Sequence, residues 1–191
     1  MASGFSRRFG GENKLLYPFR GQPLAKHTLD LVCRMQDFFK GIIFVTSDEK
    51  VAAIAQDRQS LSNLPITQVH NEKPEIDVGE SVRLGVIAAE NTGGADYYFF
   101  FPCDQPLLDE ATVMRILSAG KPGHIVEPFA DSNLQGSPNL FSAFFKNELL
   151  SLGKEKPRII KTRHPEAVIK VKVPPLALAD IDTIEDIKKY E

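Results

Sequence analysis

Hydrophobic positions along this chain recur with two alternating periods. In residues 24–39, Leu24, Thr28, Leu31, Val32, Met35 and Phe39 fall at three- and four-residue steps, which puts them on one face of a helix. Gly41 ends that helix, and residues 42–46 follow as an apolar strand. Val51, Ile54 and Ala55 mark a second helix, residues 66–69 a short strand, and residues 82–89 a third helix. Residues 97–101 are continuously apolar, the pattern of a strand buried on both faces. Asp109 is placed to cap a helix through Val113, Ile116 and Leu117, and residues 124–128 read as another strand.

The second half changes character. Gly136-Ser137-Pro138 is a turn signal, and Ser142 caps a helix carrying Phe145, Leu149 and Leu150. Residues 168–173 alternate, with Lys170 and Lys172 pointing away from Val171 and Val173, as in a strand with one wet face at a sheet edge. Thr183 and Asp186 form an acidic variant of the capping box ahead of a last helix. The order βαβαβ followed by mixed elements predicts an α/β fold, a three-layer sandwich with ligands at the carboxyl ends of its parallel strands.

Size and charge narrow the function. A chain of 191 residues with 42% hydrophobic and 25% charged content is expected to be one domain, spanning 1–191. The net charge of −2 argues against a broad nucleic-acid surface, so any anion site is local. Cys33 and Cys103 alone suggest reduced thiols, not a disulfide framework. No apolar run is long enough to cross a bilayer and no signal peptide is seen, so the expectation is a cytoplasmic protein without a membrane partner.

The chemistry concentrates in three segments. The opening MASGFSRRFGGENK sets Gly4, Gly10 and Gly11 among Ser6, Arg7, Arg8 and Lys14, a composition suited to cradling phosphate with backbone N–H groups and cations. The alternative is an ordinary glycine-rich surface loop. Asp104 directly follows the apolar run at 97–101, where a carboxylate faces the ligand crevice and can meet a magnesium ion; it can equally bond its own turn. Asp180 and Asp182 lie two apart on one side of an extended stretch, and carboxylates ahead of a helix also favour its dipole without any metal. Asn71, Gly79 and Ser81 are weaker candidates for the edge of a nucleobase, against a loop and helix start. His27, His124 and His164 have no partner that the sequence identifies.

Taken together, these segments resemble the MobA-like nucleotidyltransferases, most of all the molybdenum cofactor cytidylyltransferase branch. Ala2-Ser3-Gly4-Phe5-Ser6-Arg7-Arg8-Phe9-Gly10 with Lys14 is similar to the family's LAxGxSxRxG…K pattern. Cys103-Asp104-Gln105-Pro106-Leu107 is similar to its DQPL segment, Gly79 and Ser81 to its Gly–Ser pair, and Gly136-Ser137-Pro138 with Leu140-Phe141 to its G-x-P-x-L-F turn. Asp180-Ile181-Asp182-Thr183 with Asp186 is similar to the closing DIDTPEDL.

The resemblance implies a Rossmann-like, mostly parallel sheet of the nucleotidyltransferase type with a late antiparallel strand. It implies transfer of CMP from CTP to the phosphate of a molybdopterin cofactor, with Mg2+ on Asp104 and Asp182 and Asp180 as a further candidate carboxylate. Arg8 and Lys14 would stabilise triphosphate charge. Ala2, Ser3, Gly4, Ser6, Gly10, Asn71, Gly79, Ser81, Gly136, Pro138 and Arg158 would line the substrates. A molybdenum hydroxylase apoenzyme is a further expected partner. The chain departs from the pattern in three places. Met1 stands where the last Leu of a first strand is expected, so that strand reads as truncated; Gly10 and Lys14 are one residue further apart; and Gly153-Lys154-Glu155-Lys156-Pro157-Arg158 replaces a longer G-D-x-G-x-R loop. Competing expectations are another acceptor, GTP in place of CTP (against which Ser3 speaks), or a non-catalytic cofactor escort.

Overall fold

The computed structural model describes residues 13–59, 62–130 and 135–191. Ala2, Ser3, Gly4, Ser6, Arg8 and Gly10 of the opening loop lie outside the described residues.

A hairpin that hydrophobic patterning did not predict comes first: β1 (Pro18–Phe19) pairs antiparallel with β2 (Gln22–Pro23). Its two-residue turn needs left-handed backbone, and Arg20 and Gly21 have φ of 47° and 78°. Helix α1 (Leu24–Arg34) buries Leu24, Leu31 and Val32 as expected, but it stops at Met35. A 3-10 turn over Gln36–Phe38 takes the place of its predicted last turn and leaves Phe38 exposed.

The remaining elements alternate as β3 (Ile42–Thr46), α2 (Glu49–Gln59), β4 (Ile66–His70), α3 (Val78–Asn91), β5 (Tyr97–Phe100), α4 (Glu110–Ser118) and β6 (Ile125–Phe129). Then follow β7 (Asn139–Ser142), α5 (Lys146–Leu150), α6 (Arg158–Arg163), β8 (Val168–Lys172) and α7 (Ile184–Tyr190). Strand β3 pairs in parallel with β4, from Ile42 opposite Ile66 to Thr46 opposite His70. A second sheet has the order β5-β7-β6-β8. Because β7 is antiparallel to both neighbours and β8 is parallel to β6, strands β5, β6 and β8 all run the same way. Strand β8 sits at the edge with Lys170 and Lys172 exposed and Val173 buried, so its alternation describes one wet face.

Helices cover both faces. On one, Leu24 and Val32 of α1 and Val51 and Ile54 of α2 pack with Ile42 and Phe44 of β3, Ile181 and Ile187. On the other, Val82 and Val86 of α3 pack with Tyr98, Ile125, Phe141 and Phe145. Period-2 geometry splits β5 between them, Tyr98 and Phe100 toward α3 and Phe99 toward Val113 of α4.

Strands β3 and β5 also run in the same sense. Lys40, just ahead of β3, donates to the carbonyls of Gly93 and Gly94, just ahead of β5, at 2.9 Å each. Beyond their other ends, Asn13 reaches Asp48 at 2.8 Å and Lys14 reaches Asp104 at 2.8 Å. Between the two strands lies a cavity of about 790 Å³ lined by Ile42, Phe44, Tyr98 and Phe100 among others. Apart from the β1–β2 hairpin, the described residues therefore form two sheets, and β5 is a sheet edge. Residues 97–101 are covered on both faces, but the cavity beside them leaves Tyr97, Phe99 and Phe100 half-buried, with Tyr98 buried. No helix among the described residues is long and apolar enough to cross a membrane.

Candidate active site

All the parallel strands end at one edge, and the acidic side chains of the candidate site stand there. Asp48 follows β3, Asn71 follows β4, Asp104 follows β5, and Asp180 and Asp182 come on the stretch between β8 and α7. This is the edge at which open α/β sheets place ligands.

Lys14 joins the acidic groups. It begins a 3-10 turn, Lys14–Leu16, whose start is fixed by Asn13: the Asn13 side chain accepts from the Leu15 N–H and donates to Asp48. Asp48 in turn accepts from the Lys50 and Val51 N–H groups at the start of α2. Partial burial pushes the Asp48 carboxyl up, but these hydrogen bonds outweigh it and hold the group below its ordinary range. From this anchor the Lys14 ammonium donates to Asp104 Oδ2 at 2.8 Å, Asp182 Oδ1 at 2.7 Å and the Ile181 carbonyl at 3.1 Å. Burial alone would lower the Lys14 pKa; Asp104 and then Asp182 reverse that and leave it raised. The lysine is therefore held as a cation.

The 180–186 stretch is fastened from both sides. The Ile181 N–H donates to the Asp104 carbonyl at 2.9 Å, and Ile181 is fully buried. Downstream, Thr183 and Asp186 complete the expected capping box, which also takes the Asp182 N–H. Gln105 donates to Asp180 at 2.9 Å. The Asp180 carboxyl is pushed up to about 6, first by partial removal from water and then by repulsion from Asp104, against the Gln105 amide. One oxygen of Asp104, Oδ1, is buried with no hydrogen-bond partner among the described residues. Two carboxylates converging on one cation, with an unsatisfied acceptor oxygen beside them, fit a divalent metal ion. Among the described residues, no three His, Cys, Asp or Glu side chains already converge on a single point.

The other sequence candidates are placed as follows. Asn71 and Ser81 are buried against each other, Asn71 Nδ2 donating to Ser81 Oγ at 3.0 Å, and Asn71 Oδ1 accepts from the Lys73 N–H. Gly79, in the first turn of α3, lies against the backbone of the loop at 153–155: a Cβ built on it would come 2.0 Å from the Glu155 carbonyl oxygen. Gly136 packs on Leu178, two residues ahead of Asp180, and Pro138 is buried. Arg158 is exposed at the start of α6.

Several positioning groups escaped the sequence reading. Asn13 and Asp48 hold Lys14, and only the placement of Asp48 just after a strand hinted at it. Lys161, one turn after Arg158 in α6, pairs with buried Glu127 and donates to Asn139 at 3.1 Å; Asn139 then donates to the Gly136 carbonyl. Nothing in the sequence distinguishes Lys161 from its neighbours. The histidines do have partners: His27 meets the Phe19 carbonyl at 2.8 Å and His164 meets Glu148 at 2.8 Å. Cys103 is buried, and neither cysteine is in a disulfide.

The MobA-like NTP transferase domain family matches residues 1–168. Among curated proteins, the chain is similar to a molybdenum cofactor guanylyltransferase of Shewanella loihica, 32% identical over 120 residues, which are 62% of this chain and 54% of that protein. The chain thus spans about half the length of the curated relatives it matches first. Among solved structures it is similar to Rv0371c from Mycobacterium tuberculosis H37Rv, 25% identical with a TM-score of 0.74, covering 98% of this chain and 93% of that one. The fold is also that of a nucleotidyl transferase from Methanothermobacter thermautotroptrophicus, 20% identical with a TM-score of 0.76, covering 98% and 92%.

Proposed function

This chain belongs to the MobA-like NTP transferase family, and from that premise we propose that it moves a nucleoside monophosphate from a nucleoside triphosphate to the phosphate of a molybdopterin-type acceptor, releasing pyrophosphate. The observation that carries the reading is the Lys14 ammonium bridging Asp104 and Asp182 at the carboxyl edge of the parallel strands. It supports a site that balances cations against dense negative charge, which is what a triphosphate demands.

Asp104 and Asp182 would hold Mg2+, with Asp180 as the third carboxylate. The ion would neutralise charge on the triphosphate when bound. Lys14, and Arg8 from the opening loop, take the remaining charge on the phosphates and on the departing pyrophosphate. The attacking acceptor phosphate, with a second pKa of about 6, is largely dianionic at neutral pH and needs no general base. Asp180 is therefore not required to take a proton. What remains for the protein is alignment, and the turn at 136–138, braced by Lys161 and Asn139, and the loop at 153–158 are the elements that would position the acceptor.

Two nucleotides are candidates. Ser3 favours CTP, the nucleotide expected from the sequence, while the guanylyltransferase name of the curated relatives favours GTP. The test is pyrophosphate release from CTP, GTP, ATP and UTP in turn, with Mg2+ and a molybdopterin acceptor. Turnover with one base fixes the nucleotide. Absence of turnover with all four, despite tight acceptor binding, would replace the transferase reading with that of an escort.

A further inference from the structure

Lys14 stands where a metal would have to go. Among the described residues, its ammonium contacts Asp104 Oδ2, Asp182 Oδ1 and the Ile181 carbonyl, at 2.7 to 3.1 Å. The two carboxylates come from segments 78 residues apart in sequence, and the lysine is the described cation between them. An ammonium and a divalent ion set between the same two carboxylates compete for the same oxygens and repel one another. With the lysine in place, Asp104 Oδ1 is buried and has no partner among the described residues.

We propose that Lys14 is a resident substitute for the divalent cation: it closes the Asp104–Asp182 pair in the unloaded protein, and cation binding must displace it. The proposal rests on the reading of Asp104 and Asp182 as metal ligands. Displacement has a consequence for the reaction. A side chain tied to two carboxylates is not available to phosphate, so the ion that enters also releases Lys14 to the edge where the triphosphate lies. Metal and lysine then reach the substrate as a coupled pair. By reciprocity, whatever draws Lys14 away, the triphosphate included, tightens the metal. The anchoring of Asn13 to Asp48 keeps the Lys14 backbone fixed while the long side chain moves.

Two measurements without turnover test this. Mn2+ binding is followed by calorimetry with no nucleotide present, in the wild type, Lys14→Gln and Asp104→Asn, each first shown to melt cooperatively. Lys14→Gln is expected to bind Mn2+ at least about fivefold more tightly than wild type; equal or weaker binding overturns the proposal. Amine acylation is then mapped by mass spectrometry with and without saturating Mg2+. Lys14 has 14% of its side chain exposed, and its labelling should rise several-fold with Mg2+. Unchanged labelling overturns displacement even if affinity rises, because charge repulsion alone would then explain the affinity. If Asp104→Asn binds Mn2+ as well as wild type does, the metal-ligand reading falls, and this inference falls with it.

Discussion

Gly79 and Glu155 are in backbone contact: a Cβ on Gly79 would sit 2.0 Å from the Glu155 carbonyl oxygen and 2.9 Å from that of Gly153. The first turn of α3 is thereby docked on the loop at 153–158, the segment that departs most from the family pattern. Lys156, 3.5 Å from Asp77, and Arg163, 3.1 Å from Glu155, add ionic ties to the same loop. Elsewhere in a helix, Gly→Ala gains about 1 kcal/mol from propensity. Here the sign reverses, because the obstructing atoms are backbone. Gly79→Ala should cost about 1–3 kcal/mol in urea unfolding and raise KM for the acceptor more than KM for the nucleotide. An alanine variant as stable as the wild type would show that the loop yields freely.

Asp104 and Asp182 share Lys14 but not their surroundings. Asp104 is 24% exposed and tied through its own carbonyl to Ile181, whereas Asp182 is 53% exposed. Asp104→Asn should therefore lower pyrophosphate release by about a hundredfold or more with an unchanged circular dichroism spectrum, and Asp182→Asn should lower it less. Equal activity of Asp104→Asn and wild type would remove Asp104 from the chemistry.

The pair Lys161–Glu127 is mostly sequestered, with 15% and 7% of the side chains exposed. Removing one partner leaves a charge without compensation, so Lys161→Met should cost about 3 kcal/mol or more. Adding Glu127→Gln should restore part of that. Chemical denaturation of the single and double variants checks it, and a double variant less stable than Lys161→Met would contradict the argument.

What could be read from the sequence was what depends on local order. Asp104 directly follows an apolar strand, and Thr183 stands three residues before Asp186, so strand end and capping box were both visible. Asn71 and Ser81 were legible as polar groups near strand β4 and helix α3, but not as partners, because their meeting depends on how α3 lies across the sheet. Lys161 differs from Lys154 and Lys156 only in facing Glu127, 34 residues away. Such long-range pairings leave no periodic trace.

Arg83 makes two hydrogen bonds to Glu80, at 2.8 and 2.7 Å, beside the Gly79 contact. They hold the Glu80 carboxyl below its ordinary value of 4.5, against a smaller upward push from burial. A carboxyl depressed in the fold binds protons more readily when unfolded, so its contribution is present above the ordinary value and lost as pH falls through the depressed one. Arg83→Gln should therefore lower Tm at pH 7 by about 2–4 °C and by less as the pH falls below the ordinary carboxyl range. A loss of the same size throughout would mean that packing, not charge, is responsible.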